Sequence, residues 1–406
     1  MGEVVLPAVD PALLKKETKQ NQQDRAKTML ELMIEQFLKH KLAVACLITL
    51  SLLVLMAISA PIITAVLGVS PEDQNIMSRY LPPMSRVESP ADKQEAALEK
   101  LIAKDPAFVS ALAAQAKAAN LVPADEADAE IPFMLSDKLS NPEEAEAVKA
   151  IGSREVKALV SFKQAFAVTH LLGTDELGRD VLARLVYGAR VSLSVAFLVG
   201  LCAAVIGLFV GSLAGFYGGF VDTGIMRIVD GLLALPTLPL MIVLAAVDFK
   251  RFPVVGGLVT GESESMLKMV IILGAFSWLG IARLVRGAVL SLKENEYVLS
   301  ARTIGTSDFQ IMFRHIAPNV MGPLLVGVTL NTGAALLQET ALSFLGLGIQ
   351  PPMPSWGNML QNALELVSAA PLLAILPGVM IFVVVICVNS IGDGLRDALD
   401  PKAIRR

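Results

Sequence analysis

Hydrophobic residues in this chain gather into six long runs separated by polar stretches. Residues 42–67 and 191–221 contain no charge. A third run covers about 225–247, with Arg227 and Asp230 near one end. A fourth covers 267–286, with a charge-free centre at 269–282. The fifth and sixth cover 316–338 and 366–392. A bilayer-crossing helix needs roughly 20 mostly apolar residues, and the pattern predicts six of them, placing both termini on one side. Pro377-Gly378 predicts a kink in the sixth, its freed carbonyls satisfied by neighbouring helices. Residues 340–364 are apolar but hold Pro351, Pro352, Pro354 and several glycines. They read as an outer loop with a re-entrant course left open, because irregular backbone at membrane depth must be buried in protein or line a cavity.

The stretch NEYVLSARTIGTSDFQIMFRHIAPN, residues 295–319, breaks this pattern between the fourth and fifth runs. Tyr297 to Ile304 are good helix formers, and Gly305 can close that helix in the left-handed conformation. Thr306 or Ser307 can cap a second short helix. There Phe309, Met312, Phe313 and Ile316 stand at i, i+3, i+4 and i+7, one apolar face, and Pro318 ends the pattern. The prediction is a helix–turn–helix elbow offering an amphipathic face suited to a partner's groove.

Composition narrows the class. The chain of 406 residues is 54% hydrophobic and 18% charged, against about 25% charged in a soluble domain. It is predicted to be an all-α integral membrane protein. A formal net charge of −4 argues against a nucleic-acid surface. Cys46, Cys202 and Cys387 lie inside apolar runs without CxxC spacing and read as small buried hydrophobes. His315 reads as an elbow packing or hydrogen-bonding residue rather than a metal ligand. No phosphate loop, HExxH or GxSxG occurs, so no catalytic residue, metal or cofactor is expected. The first run is too long for a cleavable signal and 41 residues precede it.

Lys and Arg set the orientation. With the N-terminus inside, segments 1–41, 216–226, 283–315 and 393–406 carry seven, none, five and four of them. The short outer loops 248–266 and 341–365 hold only Lys250 and Arg251, so the elbow falls on the cytoplasmic side. Gly207, Gly211 and Gly215, four apart, predict a flat stripe for close helix contact. Asp230, Arg227 and Glu339 fall near run ends, whereas ion-driven carriers keep ionisable groups near the midplane. GTDELGRD, residues 173–180, reads first as a capped turn with local ion pairs among Asp175, Glu176, Arg179 and Asp180, and second as an outer turn near a docking protein. GDGLRDALDPK reads as a capped, solvated C-terminal helix.

The motifs also carry a resemblance. Ala301, Gly305 and Pro318 keep the spacing of the coupling loop of ABC-importer permeases, with Leu299-Ser300 where that pattern has Glu-Ala and Glu296 one turn earlier. GTDELGRDVLARLVYGARVSL, SWLGIARLVRG, FRHIAPN, ALSFLGLG, PSWGNML and GDGLRDALDPK, in this order, are similar to the C-type, DppC/OppC-like permease subunit of the dipeptide/oligopeptide/nickel ABC importer family. The resemblance implies a type I importer permease in the bacterial inner membrane, both termini cytoplasmic, forming half of a translocation pathway. It implies as partners a second permease subunit, two ATP-binding subunits, a periplasmic substrate-binding protein and the lipid bilayer. Glu296, Ala301, Gly305, Asp308, Phe309, Phe313 and Pro318 would belong to the ATPase-coupling loop, residues 293–318. Dipeptides or oligopeptides would be the cargo. A self-contained secondary transporter or channel is the alternative, and a scaffold that recruits cytoplasmic proteins a further one.

The family runs almost directly from SRYLPPM to HLLGTDELGRD, whereas about 85 residues, 85–169, intervene here. Three helix starts are legible there, at Ser89-Pro90, Asp105-Pro106 and Asn141-Pro142. Residues 84–169 hold 10 Lys/Arg and 14 Asp/Glu. Leu98, Leu101, Ile102, Phe108, Val109, Leu112, Val156, Leu159, Val160 and Phe162 supply a thin core. The expectation is a small helical periplasmic subdomain packed on the permease, acting as a lid or docking surface or as a solvated appendage. The predicted organisation is a cytoplasmic segment 1–41, a first span 42–67, a periplasmic segment 68–169, a permease core 170–392 and a cytoplasmic tail 393–406.

Overall fold

The computed structural model describes residues 29–88, 91–165, 167–248, 263–361, 367–368 and 370–399. Most of segment 1–41, most of loop 248–266, the helix start at Ser89-Pro90 and the end of the tail lie outside the described residues. The first apolar run follows α1 (Met29–Lys39) and divides at Ser59 into α2 (Lys41–Ile58) and α3 (Ala60–Leu67). Pro61 sits in the first turn of α3, where its missing N–H costs nothing.

The second span, α9 (Val181–Tyr217), begins ten residues before the charge-free run, with the side chain of Asp180 accepting from Ala183 N at its N-terminus. At 37 residues it is about 55 Å long, more than the bilayer core requires. The third span is present but is not one continuous helix. It consists of α10 (Gly219–Leu233) and α11 (Thr237–Ala245), which meet at 80°. The break falls where Pro236, lacking an N–H, disfavours helical backbone before it. The fourth span is α12 (Glu264–Leu292). The fifth is α15 (Ala317–Phe344), and the sixth, α17 (Pro371–Leu399), runs unbroken through Pro377. Among the described residues five helices are long and apolar enough to cross a membrane, and the bent pair, counted as one span, makes a sixth.

Helix α9 is the centre of the bundle, and α12 is its main neighbour. The glycine stripe explains how they meet. A Cβ on Gly207 would stand 2.6 Å from Ile281, on Gly211 2.4 Å from the Ala282 carbonyl, and on Gly215 2.8 Å from Val289. Only glycine lets the two backbones approach this closely. Cys46 and Cys387, distant in sequence, meet in one apolar cluster joining the first and sixth spans, with Phe37 and Ile391. Cys202 is only partly buried.

The end of the bundle opposite the elbow is tied by polar contacts. The 173–180 turn is the capped, ion-paired turn expected. Arg179 Nε donates to Asp175 Oδ2 at 2.7 Å, Arg179 Nη2 to Glu176 at 3.0 Å, and Arg184 of α9 lies 3.3 Å from Asp175. Gly178 has φ +72°, and a Cβ there would strike the Asn75 carbonyl at 1.8 Å, which locks the segment after the first span onto the turn. The fifth-span helix takes up 340–344 of the expected loop, and the described remainder, 345–361, folds back into the protein. Its short helix α16 (Trp356–Met359) buries Trp356, whose indole N–H donates to the Leu185 carbonyl at 3.0 Å. Glu339, with 0% exposure, accepts from Ser343 Oγ at 2.7 Å and from Ser192 Oγ at 3.3 Å, and Trp356 N donates to that same Ser192 at 3.2 Å. The buried carboxylate is tolerable because its oxygens have partners.

The inserted segment hangs on a two-stranded antiparallel ribbon, β1 (Ser85–Glu88) with β2 (Ala167–His170), in register Ser85 to His170. The all-helical expectation missed this ribbon, since four-residue strands leave little periodicity to read. His170 Nδ1 lies 2.7 Å from Asp180 Oδ2, so the root of the ribbon meets the first turn of α9. Five helices follow: α4 (Ala91–Lys104), α5 (Pro106–Ala118), α6 (Ile131–Ser140), α7 (Pro142–Ala150) and α8 (Arg154–Ala165). The expected caps are present, Asp105 accepting from Phe108 N and Asn141 from Glu143 N. The apolar residues expected to supply the core of the insert do so. Leu98, Leu112, Val156 and Leu159 bury against Val122, Ile131, Leu135 and Val148, all within the insert. Ala113 and Ala116 complete the cluster, and small side chains let short helices close over few large ones.

Gly211→Val is expected to destabilise the bundle by about 1–3 kcal/mol, because the α12 backbone cannot yield. Gly378→Ala, whose Cβ meets open space, should be neutral. Thermal unfolding in detergent distinguishes them. In the insert, Leu112→Ala should cost about 2–5 kcal/mol locally. Limited proteolysis of the intact chain should then show faster cleavage within 91–165 and unchanged cleavage between the spans.

Candidate functional site

The elbow is built from the residues expected, with a different division of labour. Its first limb, α13 (Glu296–Thr303), ends in a turn where Gly305 has φ +86°. Gly305 N donates to the Arg302 carbonyl and Thr306 N to the Ala301 carbonyl. No side-chain Cβ tolerates that conformation cheaply, so the predicted role of Gly305 in the turn holds. Ser307 then caps α14 (Asp308–Gln310), accepting from Gln310 N.

Beyond α14 the chain widens into a π-helical segment, Ile311–Ile316, in which Ala317 N bonds the Met312 carbonyl five residues back. Pro318 has no N–H and would press its ring on the carbonyl four residues earlier, and a π turn relieves that. The helix therefore passes through Pro318, in the first turn of α15, without the break the sequence pattern predicts.

The winding changes which residues share a face. Ile311, Met312 and Ile316 turn inward and are buried, while Phe309 and Phe313 are 66% and 48% exposed. The single apolar face read from α-helical spacing is thus split in two. An i to i+5 period brings Ile311 and Ile316 to one side, which a 3.6-residue repeat does not. Phe309 and Phe313 touch each other, ring centroids 4.5 Å apart.

The inward face joins the elbow to the bundle. Val298, Ala301, Ile311, Met312 and Ile316 share one cluster with Phe216 of α9, Val285 and Val289 of α12 and Val320 of α15. The Arg302 guanidinium lies 5.6 Å from the centre of the Phe216 ring, a cation–π contact with the end of α9. Asn319 donates to the Tyr297 hydroxyl at 3.4 Å, linking the two limbs, and to the His315 carbonyl at 2.7 Å.

Of the predicted residues, Ala301 is buried and packs, whereas Glu296, Gly305, Asp308, Phe309, Phe313 and Pro318 are exposed. Leu299, which stands where the family pattern has Glu, and Ile304 are exposed too. Ile304 stands beside the turn glycine, the one local signal that marks it. Among the described residues no group of three or more His, Cys, Asp or Glu is arranged to hold a metal.

Comparison with known proteins places this geometry. Residues 207–405 match the family described as binding-protein-dependent transport system inner membrane component. Residues 28–83 match the N-terminal transmembrane domain of oligopeptide transport permease C. The chain is 41% identical to the dipeptide transport system permease protein DppC of Alkalihalophilus pseudofirmus, over 59% of this chain and 74% of that one. It is 42% identical to the glutathione transport system permease protein GsiD of Pectobacterium atrosepticum, over 57% and 73% of the two chains. It is 40% identical to the oligopeptide transport system permease protein OppC of Bacillus subtilis, over 57% and 72%. The chain belongs to the binding-protein-dependent transport permeases, and within them to the DppC/OppC-like group. It is a multi-pass membrane protein and a permease subunit, not an enzyme.

Gly305→Val should cost about 1–2 kcal/mol at the turn, leave membrane insertion intact and lower uptake by the assembled transporter. Membrane content and uptake rate, measured together, check this. Uptake at the parental rate would remove the turn from the coupling role.

Proposed function

We propose that the elbow is the surface on which the ATP-binding subunits of an importer act, and that the chain forms half of a pathway for dipeptides or oligopeptides. The observation that carries the reading is the exposed Phe309–Phe313 pair on a segment whose opposite face shares a core with three spans. Exposed aromatic rings are suited to a partner's pocket. A rigid inner face would pass displacement of that pocket to α9, α12 and α15 together. The absence of a phosphate loop agrees with an ATP site in separate subunits.

In this reading the coupling loop is 293–318, with Glu296, Gly305, Asp308 and Pro318 on the solvent side and Ala301 as its packing residue. The elbow and both termini face the cytoplasm of a bacterial inner membrane, as the Lys/Arg distribution favours. The insert, 85–169, then stands in the periplasm as a lid or docking surface for a substrate-binding protein, and a second permease subunit completes the pathway. A peptide cargo is supported by relatives named for dipeptide, oligopeptide and glutathione transport.

Mild-detergent capture of the tagged chain from cells expressing its partners should recover a second permease and ATP-binding subunits. Phe309→Glu should reduce recovery of the ATP-binding subunits on the order of tenfold or more, the loss expected when an aromatic anchor is removed, and leave the second permease bound. Equal recovery with the variant would sink the aromatic-anchor reading, and a chain recovered alone would sink the importer reading.

A further inference from the structure

Helix α10 presents three sides. Ile225, Met226, Val229 and Leu232 pack toward Phe276, Trp278 and Leu279 of α12. Ile228 stands exposed on another side of the helix, and Phe220 is exposed near the helix start. Between the packed side and Ile228, Thr223, Arg227 and Asp230 stand exposed at i, i+4 and i+7, one continuous polar line. Asp230 reaches across to Arg283 of α12 in an ion pair whose side chains are 56% and 53% exposed. Nearer the elbow, Arg286 Nη2 donates to Asp222 Oδ2 at 2.6 Å, a less exposed pair that fixes the two helices to each other.

Charged groups on spanning helices face protein or a water-filled cavity, not lipid tails. The glycines around the exposed pair indicate which. Gly231 follows Asp230, and Gly280 and Gly287 flank Arg283 on α12, yet a Cβ added at any of the three meets nothing within 4 Å. These glycines, unlike Gly207, Gly211 and Gly215, serve no packing within the chain. They leave open space beside the pair. Arg227 makes no ion pair among the described residues, so the line carries one cation in excess of its partners.

We infer that this face of α10 and α12 lines the water-filled solute path, and that Arg227 and Arg283 receive a carboxylate of the passing solute. Arg283 does so by exchanging its hold on Asp230 for the solute's carboxylate. A guanidinium suits this because it forms two parallel hydrogen bonds to such a group. The solute class is anionic or zwitterionic. The assignment rests on the chain being half of a transport path and does not require that the cargo be a peptide.

The test is thiol labelling of the assembled transporter in membrane vesicles of both orientations, with and without ATP. Thr223→Cys, Gly231→Cys and Ile228→Cys are compared over the background of the unsubstituted chain, using membrane-impermeant anionic and cationic thiosulfonates. Thr223→Cys and Gly231→Cys should react at least about tenfold faster than Ile228→Cys, as water-facing and lipid-facing positions differ in access. At Thr223→Cys the anionic reagent should be favoured over the cationic one, and adding Arg227→Gln should abolish that preference. If neither Thr223→Cys nor Gly231→Cys reacts in any orientation or nucleotide state, protein covers the face and the inference is overturned. It is also overturned if Ile228→Cys reacts equally fast. A charge preference indifferent to Arg227→Gln would overturn the carboxylate role. Labelling uses no cargo, so a positive pattern in a transporter that ignores peptides would support the path and retire only the peptide reading.

Discussion

The close approach of α9 and α12 is the contact on which the rest of the structure depends. Without side chains at Gly207, Gly211 and Gly215, the backbone of α9 lies against Ile281, Ala282, Val285 and Val289. In a bilayer, lipid tails are as apolar as leucine, so helices associate through shape and packing rather than through exclusion of water. This seam does not stop at the membrane. Val285 and Val289 continue into the cluster that holds Val298, Ala301, Ile311, Met312 and Ile316 of the elbow. The elbow is therefore an extension of the packed bundle, and a force on its outer rings meets a solid support.

The opposite end is organised by different physics. There the chain uses buried polar contacts: Glu339 with Ser192 and Ser343, Trp356 with Leu185, and Asp175 with Arg179 and Arg184. Directional bonds position irregular loops that have no regular face to pack. They also fix the root of the insert, since His170 at the end of β2 meets Asp180 at the start of α9. The insert thus couples to the bundle through a narrow polar joint while keeping its own apolar core. Such a joint allows a domain to be added between the first and second spans without disturbing either.

The elbow illustrates how far sequence reading reaches. Its existence, its turn at Gly305 and its cap at Ser307 followed from local chemistry, because a left-handed glycine and a capping hydroxyl act within a few residues. The facing of Phe309, Met312, Phe313 and Ile316 did not, because the reading assumed 3.6 residues per turn where the chain adopts a π winding. Ala301 matched a family spacing but is a packing residue, and nothing in the spacing separates a buried position from a contact position. The exposure of Ile304 was not legible beyond its place beside the turn glycine, because an exposed apolar residue carries little local signature.

By itself the sequence determined the membrane class, the number of spans, the glycine stripe and the helix caps, all of which depend on composition or on neighbours a few residues away. Tertiary structure alone decided the 80° break in the third span, the ribbon that carries the insert, and the meeting of Cys46 and Cys387 in one apolar cluster. It also set the partners of Asp222 and Asp230, more than fifty residues distant. In the sequence Asp230 reads as a residue near a run end, and nothing there joins it to Arg283 or joins Asp222 to Arg286. Only the antiparallel docking of α10 on α12 brings them into pairs, because contacts between distant segments are fixed by how whole helices pack and not by any local preference of the chain.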